Sequence, residues 1–490
     1  MSSPSPAPIA DAKLNRRVIG ISIGAALGGF LFGFDSSVIN GAVDSISGEF
    51  GLSEAVTGFV VASALLGCAV GAWFAGGIAN RYGRIRVMVL SATLFLISAV
   101  GSGLAFAVWD LMLWRIVGGL AIGAASVIAP AYISEVAPAK FRGRLASLQQ
   151  MAIVLGIFAA LLSDQLLAEA ADGASNELWL GLEAWRWMFM VCVVPALIYG
   201  IAALRLPESP RYLVYRQRSA DAAEVLRKFS GEQDVDHRIA EIERSIGTEE
   251  RQSLRDLRGN KLGLKPIVWV GILLSVFQQF VGINVIFYYS TSLWQSVGFD
   301  ESQAFLTSTI TSVTNIVVTI VAILLVDRIG RRLLLLIGSA GMTLALGIMA
   351  VAFSTATLNA DGEAVLNGPW DSIALVGANA FVVFFGATWG PVVWVLLGEI
   401  FPNRIRATAL AVAAAAQWFA NWAITMTFPI FADISLTFAY GFYASMAALS
   451  LVFVFFRVPE TKGMELEDMD NVEIHRGKFV TVGDNRTISE

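Results

Sequence analysis

Long apolar runs without basic residues are the feature that most constrains this chain. Val87–Val108, Trp269–Tyr289 and Ala407–Phe431 contain neither Lys nor Arg, and each has about 20 residues or more. The hydrocarbon core of a bilayer is about 30 Å thick, and a helix of about 20 apolar residues crosses it. Because water does not reach the backbone there, helices satisfy their own amides. The alternation that a barrel strand requires is absent from these runs. The sequence therefore predicts an all-α integral membrane protein.

The number of such runs predicts twelve spans. Hydrophobic residues make up 56% of the chain and charged residues 15%, which lies outside the composition of soluble domains. We place the spans at 18–41, 55–79, 87–108, 111–134, 145–166, 186–205, 267–289, 304–326, 333–354, 372–398, 407–430 and 436–456. The insert between spans six and seven is rich in Arg and Glu at helical spacing, which predicts short helices lying in water.

The loops differ in their basic residues. Lys and Arg crowd the N-terminus and the loops after spans two, four, six, eight and ten. The stretches with the other loops (41–80, 163–185, 290–327 and 355–403) contain none. By the positive-inside rule we expect a multi-pass protein of the cell (cytoplasmic) membrane with both termini in the cytoplasm.

Three motifs of the first half have counterparts in the second half. The pairs are Gly76–Arg84 with Val326–Arg332, Ser134–Arg144 with Gly398–Arg406, and Pro207–Ser209 with Pro459–Lys462. Two related halves with a site between them at mid-membrane are a known transporter plan. We therefore predict an N-terminal tail (1–17), a first six-helix half (18–206), a cytoplasmic helical linker (207–265), a second six-helix half (266–456) and a C-terminal tail (457–490).

Cysteine and histidine chemistry has little support in this sequence. Cys68 and Cys192 fall in apolar segments, which is typical of buried packing, and His237 and His475 lie in hydrophilic stretches. We expect no metal site, no other cofactor and no nucleic-acid partner. A membrane enzyme is disfavoured because the acidic residues lie mostly in loops or in the repeated motifs.

The motifs together resemble a known family. GGFLFGFDSSVINGA in span one, WRIVGGLAIG in span four, PESPRYLV after span six, QQFVGINVIFYYS in span seven, WGPVVWVLLGEIFPNRIR in span ten and PETKG after span twelve occur in the order of that family. The chain resembles the sugar porters of the major facilitator superfamily. The residues of its motifs are most similar to those of actinobacterial glucose permeases.

The resemblance implies twelve helices in two pseudo-symmetric halves and transport by alternating access. We expect a proton-coupled symporter that imports a monosaccharide, with glucose as the first candidate. A proton-independent uniporter, a symporter for another hexose, a pentose or myo-inositol, and a sugar sensor that does not transport are the alternatives. The expected partners are the sugar, a proton and the lipid bilayer, and the expected oligomeric state is a monomer.

Asp35 is the most specific candidate for a functional residue in the sequence. It lies inside an apolar helix, where an unpaired charge costs on the order of 2.5–3.5 kcal/mol on insertion scales. Arg115, at the start of span four, is the candidate partner, and the resemblance implies the same pairing. A carboxyl whose proton affinity changes with exposure and with contact to Arg115 would couple proton uptake to sugar uptake. A static buried ion pair, or an ordinary Asp at a hydrated helix end, is the alternative.

Amides and indoles are the candidate sugar ligands. Amides match hydroxyls because both groups donate and accept hydrogen bonds, and Gln278, Gln279 and Asn284 recur on a similar face of span seven. The resemblance places around the sugar Gln150, Gln278, Gln279, Asn284, Asn315, Trp394 and Gln417, with Phe32 and Trp418 lining the cavity. The alternative is that buried amides join helices and that Trp418 packs in the core. Relatives carry polar residues at the positions of Gly386 and Ile157, so the hydroxyl preferences of the family do not simply transfer.

Charged residues of the repeated motifs are the candidates for a cytoplasmic gate. They are Arg81, Arg84, Glu135, Arg142, Glu208 and Arg211 in the first half, and Asp327, Arg328, Arg331, Glu399, Arg406 and Glu460 in the second half. Ion pairs among them would hold the two halves together while the cavity opens outward, although topology signals alone also explain the basic residues. Asn80 replaces the usual acidic residue of the family.

Overall fold

The computed structural model describes residues 8–136, 142–230, 234–248, 254–259, 263–358, 364–366, 368–402, 405–462, 472–475 and 478–481. Helices dominate this part of the chain. They are α1 (Pro8–Ser37), α2 (Val43–Phe50), α3 (Glu54–Tyr82), α4 (Arg84–Gly103), α5 (Val108–Val136), α6 (Arg142–Ala170), α7 (Ala184–Val191), α8 (Val193–Arg205), α9 (Pro210–Tyr215), α10 (Ser219–Val225), α11 (Val235–Thr248), α12 (Pro266–Phe280), α13 (Ile283–Gln295), α14 (Glu301–Ile329), α15 (Arg331–Ser354), α16 (Trp370–Phe384), α17 (Gly390–Ile400), α18 (Arg406–Ile434) and α19 (Leu436–Arg457).

Within the described residues, twelve helical segments are long and apolar enough to cross a membrane. Numbered 1 to 12 in chain order, these spans are Ile19–Gly41, Glu54–Tyr82, Arg84–Gly103, Val108–Val136, Leu148–Ala170, Ala184–Arg205, Pro266–Gln295, Glu301–Leu324, Arg331–Ser354, Trp370–Ile400, Thr408–Ile434 and Leu436–Arg457. The twelve predicted spans are confirmed, with ends that shift by a few residues. Caps account for such shifts: α14 begins early because Asp300 and Gln303 form a capping box.

Several spans are interrupted, and the interruptions position the functional side chains. Span 1 passes from α1 into the 3-10 turn Val38–Gly41, and span 10 contains the π-helical turn Phe385–Trp389 between α16 and α17. Span 7 breaks between α12 and α13 at Gly282, whose φ of 86° lies in the left-handed region that favours glycine. Each interruption releases backbone groups that need partners inside the protein.

The chain forms two compact units, described separately below. The first comprises Met1–Asp35, Gly67–Gly156 and Phe189–Glu250, and the second comprises Ser36–Leu66, Ile157–Met188 and Arg251–Glu490. The division into tails, six-helix halves and linker follows the sequence repeat and stays a prediction. The insert between spans 6 and 7 folds as short helices, as expected, and Leu213 and Val214 of α9 pack on α10 and α11 there.

The strands of the described residues form three short antiparallel hairpins. They pair β1 (Glu177–Trp179) with β2 (Leu182–Glu183), β3 (Thr357–Leu358) with β4 (Ala364–Val365), and β5 (Val472–His475) with β6 (Lys478–Thr481). They lie between or after the spans and contribute nothing to the membrane-crossing part.

Spans 2 and 4 pack closely against each other at glycine residues. A Cβ on Gly123 would lie 2.1 Å from the carbonyl oxygen of Cys68, and one on Gly67 would lie 2.2 Å from that of Ile116. Lipid is as apolar as the helix surfaces, so association in the membrane depends on such close packing of small residues. A methyl group at these positions forces the two backbones apart.

We expect Gly123→Ala to lower thermal stability by several degrees, since overpacking a closely packed interface costs about 1–3 kcal/mol. The two cysteines, Cys68 and Cys192, are both buried, so a thiol-reactive dye reports unfolding of the purified protein. Gly76→Ala is the matched control on span 2, because nothing lies within 4 Å of a Cβ at that position. Equal melting temperatures for the two variants would contradict the interpretation.

Candidate functional site

Asp35 and Arg115 form a buried pair in the first unit. They are 3% and 2% exposed, respectively. The Nη1 atom of Arg115 lies 3.5 Å from Asp35 Oδ2, but it donates a shorter bond of 3.0 Å to the backbone carbonyl of Asp35. The guanidinium also lies over the ring of Phe189, at 5.6 Å from its centroid. The predicted pairing is present in the structure, and the carboxyl takes part in it only through the longer contact.

The end of α1 explains why Arg115 binds a backbone carbonyl there. Asp35 lies in the last turn of this helix, where carbonyls lack their usual partners and the negative end of the helix dipole favours a cation. Arg115 supplies both a donor and a positive charge at that place. A proton on the Asp35 carboxyl therefore weakens only the 3.5 Å contact, and the backbone bond keeps Arg115 in place.

Gly118 of span 4 leaves the space in which the Asp35 carboxyl lies. A Cβ at this position would lie 3.3 Å from Asp35 Oδ2 and 2.5 Å from Ser98 Oγ. The Ser98 hydroxyl donates to the carbonyl of Trp114 at 2.7 Å, so it is already engaged. The carboxyl thus occupies a narrow polar niche between spans 1, 3 and 4.

Amide side chains form a relay in the second unit, at the break of span 7. Asn284 Nδ2 donates to Gln279 Oε1 at 2.6 Å, and Gln279 Nε2 donates to Gln278 Oε1 at 3.4 Å. Gln278 Nε2 then donates to the carbonyls of Trp389 at 3.0 Å and Gly390 at 3.3 Å. The structure therefore brings together the three amides predicted on span 7 and ties them to span 10.

The π-helical turn of span 10 explains the last link of this relay. A π turn displaces carbonyls from their regular helical partners, and in a membrane another protein group must satisfy them. Gln278 does so at Trp389 and Gly390. The indole of Trp389, which is fully buried, donates to the carbonyl of Leu335 at 3.1 Å and to Ser339 Oγ at 3.0 Å. Hydrogen bonds with span 7 and with span 9 therefore hold the π turn in place.

The other predicted sugar ligands differ in burial. Asn315 is 8% exposed, whereas Trp394 is 42% exposed and so is not a core tryptophan. Gln150 and Phe32 in the first unit, and Gln417 and Trp418 in the second, are partly buried. The buried Oε1 atom of Gln417 has no hydrogen-bond partner among the described residues, which leaves an acceptor for a ligand hydroxyl.

Gly386 lies beside Asn315. A Cβ at Gly386 would lie 3.3 Å from Asn315 Oδ1, so the missing side chain leaves the amide oxygen uncovered on that side. Gly386, where the family resemblance implies a polar residue, is therefore part of the surroundings of a predicted ligand. The sequence analysis noted the substitution, but its proximity to Asn315 emerges only from the fold.

Gln149 is a buried amide that the sequence analysis did not select. It is 8% exposed, packs against Gly29, and its Oε1 atom has no hydrogen-bond partner among the residues described. Its neighbour Gln150 was selected because the family resemblance places it around the sugar. The doubled Gln in an apolar span was the available signal for both.

The first copy of the charged motif closes into a network within the first unit. Arg84 donates to both carboxyl oxygens of Glu135, at 3.0 Å from Nε and 2.8 Å from Nη2. Glu208 accepts from the backbone N–H groups of Arg84 at 3.0 Å and Ser209 at 2.9 Å, and the Ser209 hydroxyl donates to Glu135. The carboxylate of Glu208 thereby caps the start of α4, where a negative charge is favourable.

The second copy repeats this network within the second unit. Arg331 donates to Glu399 at 3.1 Å from Nε and 2.9 Å from Nη2. Glu460 accepts from the N–H groups of Arg331 at 2.9 Å and Arg332 at 3.0 Å, and Thr461 Oγ1 donates to Glu399 at 2.6 Å. Ser209 and Thr461, which were not selected from the sequence, hold equivalent places in the two copies.

The remaining gate candidates show different surroundings. Arg81 is exposed and lies over the ring of Tyr82, Arg211 is half-buried, and Arg406 Nε donates to the carbonyl of Phe401 at 3.1 Å. Asn80 is exposed. The side chains of Arg142, Asp327 and Arg328 lie outside the described residues. The described networks each join residues from the three motifs of one half, and a lock between the two halves stays a prediction.

We expect the Arg84–Glu135 pair to show a coupling energy of about 1–3 kcal/mol in a double-mutant cycle of Arg84→Gln and Glu135→Gln. The reason is that its side chains are 10% and 13% exposed and the contact is bidentate. Arg218–Asp221, at 61% and 50% exposed, is the matched control and should show almost none. The measurement is the shift in thermal unfolding followed by the thiol-reactive dye, and equal coupling in both cycles would contradict the interpretation.

Comparison with known proteins decides the family. Residues 21–472 match the family described as "Sugar (and other) transporter". The chain belongs to this family. A "Glucose transport protein" of Synechocystis is 53% identical over 469 residues, which cover 95% of this chain and 100% of that protein. The "D-xylose-proton symporter" of Escherichia coli K12 is 37% identical over 486 residues, covering 92% and 95% of the two chains.

The solved structures agree with the sequence relatives. A partially occluded inward-open structure of the xylose transporter XylE from E. coli matches with a TM-score of 0.79 and 36% identity, covering 92% of this chain and 100% of that one. The predicted fold of a major facilitator sugar porter is thereby confirmed, and the protein is a multi-pass membrane transporter and not an enzyme. The expected similarity to actinobacterial glucose permeases stays a prediction.

Proposed function

We propose that this sugar transporter is a proton-coupled symporter that imports a monosaccharide, with glucose as the first candidate. The relatives support this proposal by their activities, since one is described as a glucose transport protein and another as a D-xylose-proton symporter. Both match this chain over more than nine tenths of its length. The roles of individual residues are inferred from the contacts within this chain.

The observation that carries the coupling is the loose contact of the Asp35 carboxyl. A carboxylate that is 3% exposed needs a counter-charge, and Arg115 supplies one at 3.5 Å. Because Arg115 is anchored on a backbone carbonyl, the carboxyl gains or loses a proton without dismantling the site. Proton binding then neutralises a charge inside span 1, and loss of the proton restores the pair. A tight bidentate pair would have favoured a static role.

The sugar in this proposal is bound by amides and indoles. Gln150, Gln278, Gln279, Asn284, Asn315 and Gln417 donate to and accept from its hydroxyls, and Trp394, Trp418 and Phe32 offer apolar surface to its C–H groups. Such ligands add no charge, which suits a neutral solute in a medium of low dielectric constant. The amide relay of span 7 links these ligands to the π turn of span 10.

Transport in this proposal proceeds by alternating access of the two six-helix halves in the cell membrane, as a monomer surrounded by lipid. Both termini and the linker face the cytoplasm, as the basic loops indicate. The charged motifs stabilise the cytoplasmic loops while the cavity faces outward. Protons then enter with the sugar from outside, down their own gradient.

The test of coupling is the uptake of labelled glucose by proteoliposomes with and without an inward proton gradient. We expect accumulation above equilibrium that a protonophore abolishes, and we expect Asp35→Asn to abolish accumulation while sugar exchange continues. The amide keeps the shape of the side chain but does not bind a proton at neutral pH.

Asp110→Asn is the matched control, because Asp110 is also buried, at 6% exposed, and its carboxyl accepts from the N–H of Phe106 at 3.3 Å. An amide oxygen can accept the same bond, so accumulation should persist in this variant. Full accumulation by Asp35→Asn would overturn the coupling role of Asp35. Equilibration without accumulation by the unmodified protein would make it a uniporter.

The sugar site makes a separate prediction. We expect Gln279→Ala to raise the KM for glucose about tenfold or more, because a lost hydroxyl partner in a polar site is worth about 1–3 kcal/mol. Gln295→Ala, on the same span but outside the relay, is the control and should leave the KM unchanged. Initial uptake rates at graded glucose concentrations measure both. An unchanged KM in Gln279→Ala would remove this amide from the proposed site.

A further inference from the structure

A second carboxyl lies fully buried in the membrane-crossing part. Asp164 of span 5 is 0% exposed, and neither of its carboxyl oxygens has a hydrogen-bond partner among the described residues. It packs against Gly41, the last residue of the 3-10 turn in span 1. A Cβ on Gly41 would lie 2.8 Å from Asp164 Cβ, 2.9 Å from its Oδ2 and 2.8 Å from Met188 Sδ. Gly41 therefore leaves the space in which the Asp164 side chain lies.

The charged groups on the surrounding elements do not neutralise Asp164. Its own span carries Glu169, and span 8, which contacts Gln165 through Thr309, begins at Glu301. The helix that contributes Met188 carries Arg186 with Glu183 just before it, and span 1 with α2 carries Asp35, Asp44 and Glu49. Arg186 is engaged by Glu49 and by Glu183, the latter at 2.7 Å. Among the described residues no ion pair includes Asp164, and the polar contact offered to its carboxyl comes from the backbone of Gly41, which offsets the cost of burial only in part.

A charged carboxylate at this place would have no counter-charge among the described residues. Burial disfavours the charged form, and here neither a cation nor a side-chain donor offsets that cost. Asp35 differs, because Arg115 lies beside it. The packing around Asp164 therefore leaves the solvation of a carboxylate charge largely uncompensated.

Asp164 lies within a set of contacts that we call the clasp, formed by Asn40, Gln165, Ser290, Thr291 and Thr309. Asn40 Nδ2 donates to Ser290 Oγ at 2.9 Å, and Asn40 Oδ1 accepts from the N–H of Thr291 at 3.0 Å. Thr309 Oγ1 donates to Gln165 Oε1 at 2.8 Å. All five residues belong to the second unit. Asp164 is next to Gln165 in sequence and touches Gly41, the neighbour of Asn40.

We propose that Asp164 is a second proton-binding site of this transporter, occupied when the clasp is closed and emptied when the clasp opens. This inference rests on the alternating-access cycle of the proposed function, because the clasp joins segments of the two halves at the end of the spans opposite to the basic loops. It does not depend on Asp35 or on coupling. Asp164 lies in none of the family motifs, although its place inside the predicted span 145–166 is the same kind of signal that selected Asp35.

The proton balance of this step is simple. Closing converts the Asp164 carboxylate and one proton from the adjoining solution into the buried acid, and opening returns that proton to the same solution. The site therefore carries no proton across the membrane and leaves the number of protons per sugar unchanged. Because the closed state binds one more proton than the open state, raising the pH on that side lowers the closed-to-open ratio, by up to about tenfold per pH unit.

The experiment measures closure directly. Val43, which is 4% exposed and lies two residues after Gly41, is replaced by cysteine in a protein whose Cys68 and Cys192 are replaced by serine. A membrane-impermeant maleimide is then added to reconstituted protein between about pH 5.5 and about pH 7.5, where exposed carboxyls are ionised. Each labelling rate is divided by that of the same cysteine in the Asp164→Asn protein, which removes the effect of pH on the thiol.

We expect this ratio to rise about tenfold or more over the pH range. Asp164→Ala, which also lacks a carboxyl group that binds a proton, should show the same pH dependence as Asp164→Asn. It replaces Asp164→Asn as the reference if the amide variant fails to fold. Ser163→Ala, at the neighbouring position, should behave as the unmodified protein. A ratio that does not change with pH would overturn the proposal. A protein that proves to be a uniporter would still show the rise, so failure of coupling and failure of this inference are distinguishable.

Discussion

Backbone groups released inside a membrane must find partners in the protein, and two of the proposed functional side chains, Arg115 and Gln278, are such partners. Water does not reach these groups, and each one left unpaired costs several kcal/mol. Arg115 serves the last turn of α1, and Gln278 serves the π turn of span 10. Interrupted helices are therefore the scaffold of the site, because each interruption fixes the position of the side chain that satisfies it.

This constraint explains why the same residues carry both structure and chemistry. Arg115 stays in place whether or not Asp35 is charged, since its shorter bond goes to a carbonyl that does not titrate. The relay through Gln279 to Gln278 likewise connects a proposed sugar ligand to backbone atoms of another span. A change at the ligand therefore has a direct path to a helix interruption, where a span bends most readily.

The two charged networks show a different use of the same rule. Glu208 and Glu460 each accept from backbone N–H groups at the start of a helix that follows a glycine with φ of 100°. Arg84 and Arg331 then hold Glu135 and Glu399 in equivalent ways. The repetition of hydrogen bonds, and not only of sequence letters, supports a duplicated origin of these loops. It also explains why the basic residues do more than set topology.

The sequence by itself determined the fold class, the twelve spans and the family, and the family resemblance implied the pairing of Asp35 with Arg115. Apolar length and local motifs decide these properties, and both are features of contiguous residues. Tertiary structure alone decided that Gln278 supports a π turn, that Gly386 borders Asn315, and that Asp164 is buried against Gly41. These depend on contacts between residues far apart in sequence. A lone Asp or Gly has no pattern that reveals which distant neighbour it meets.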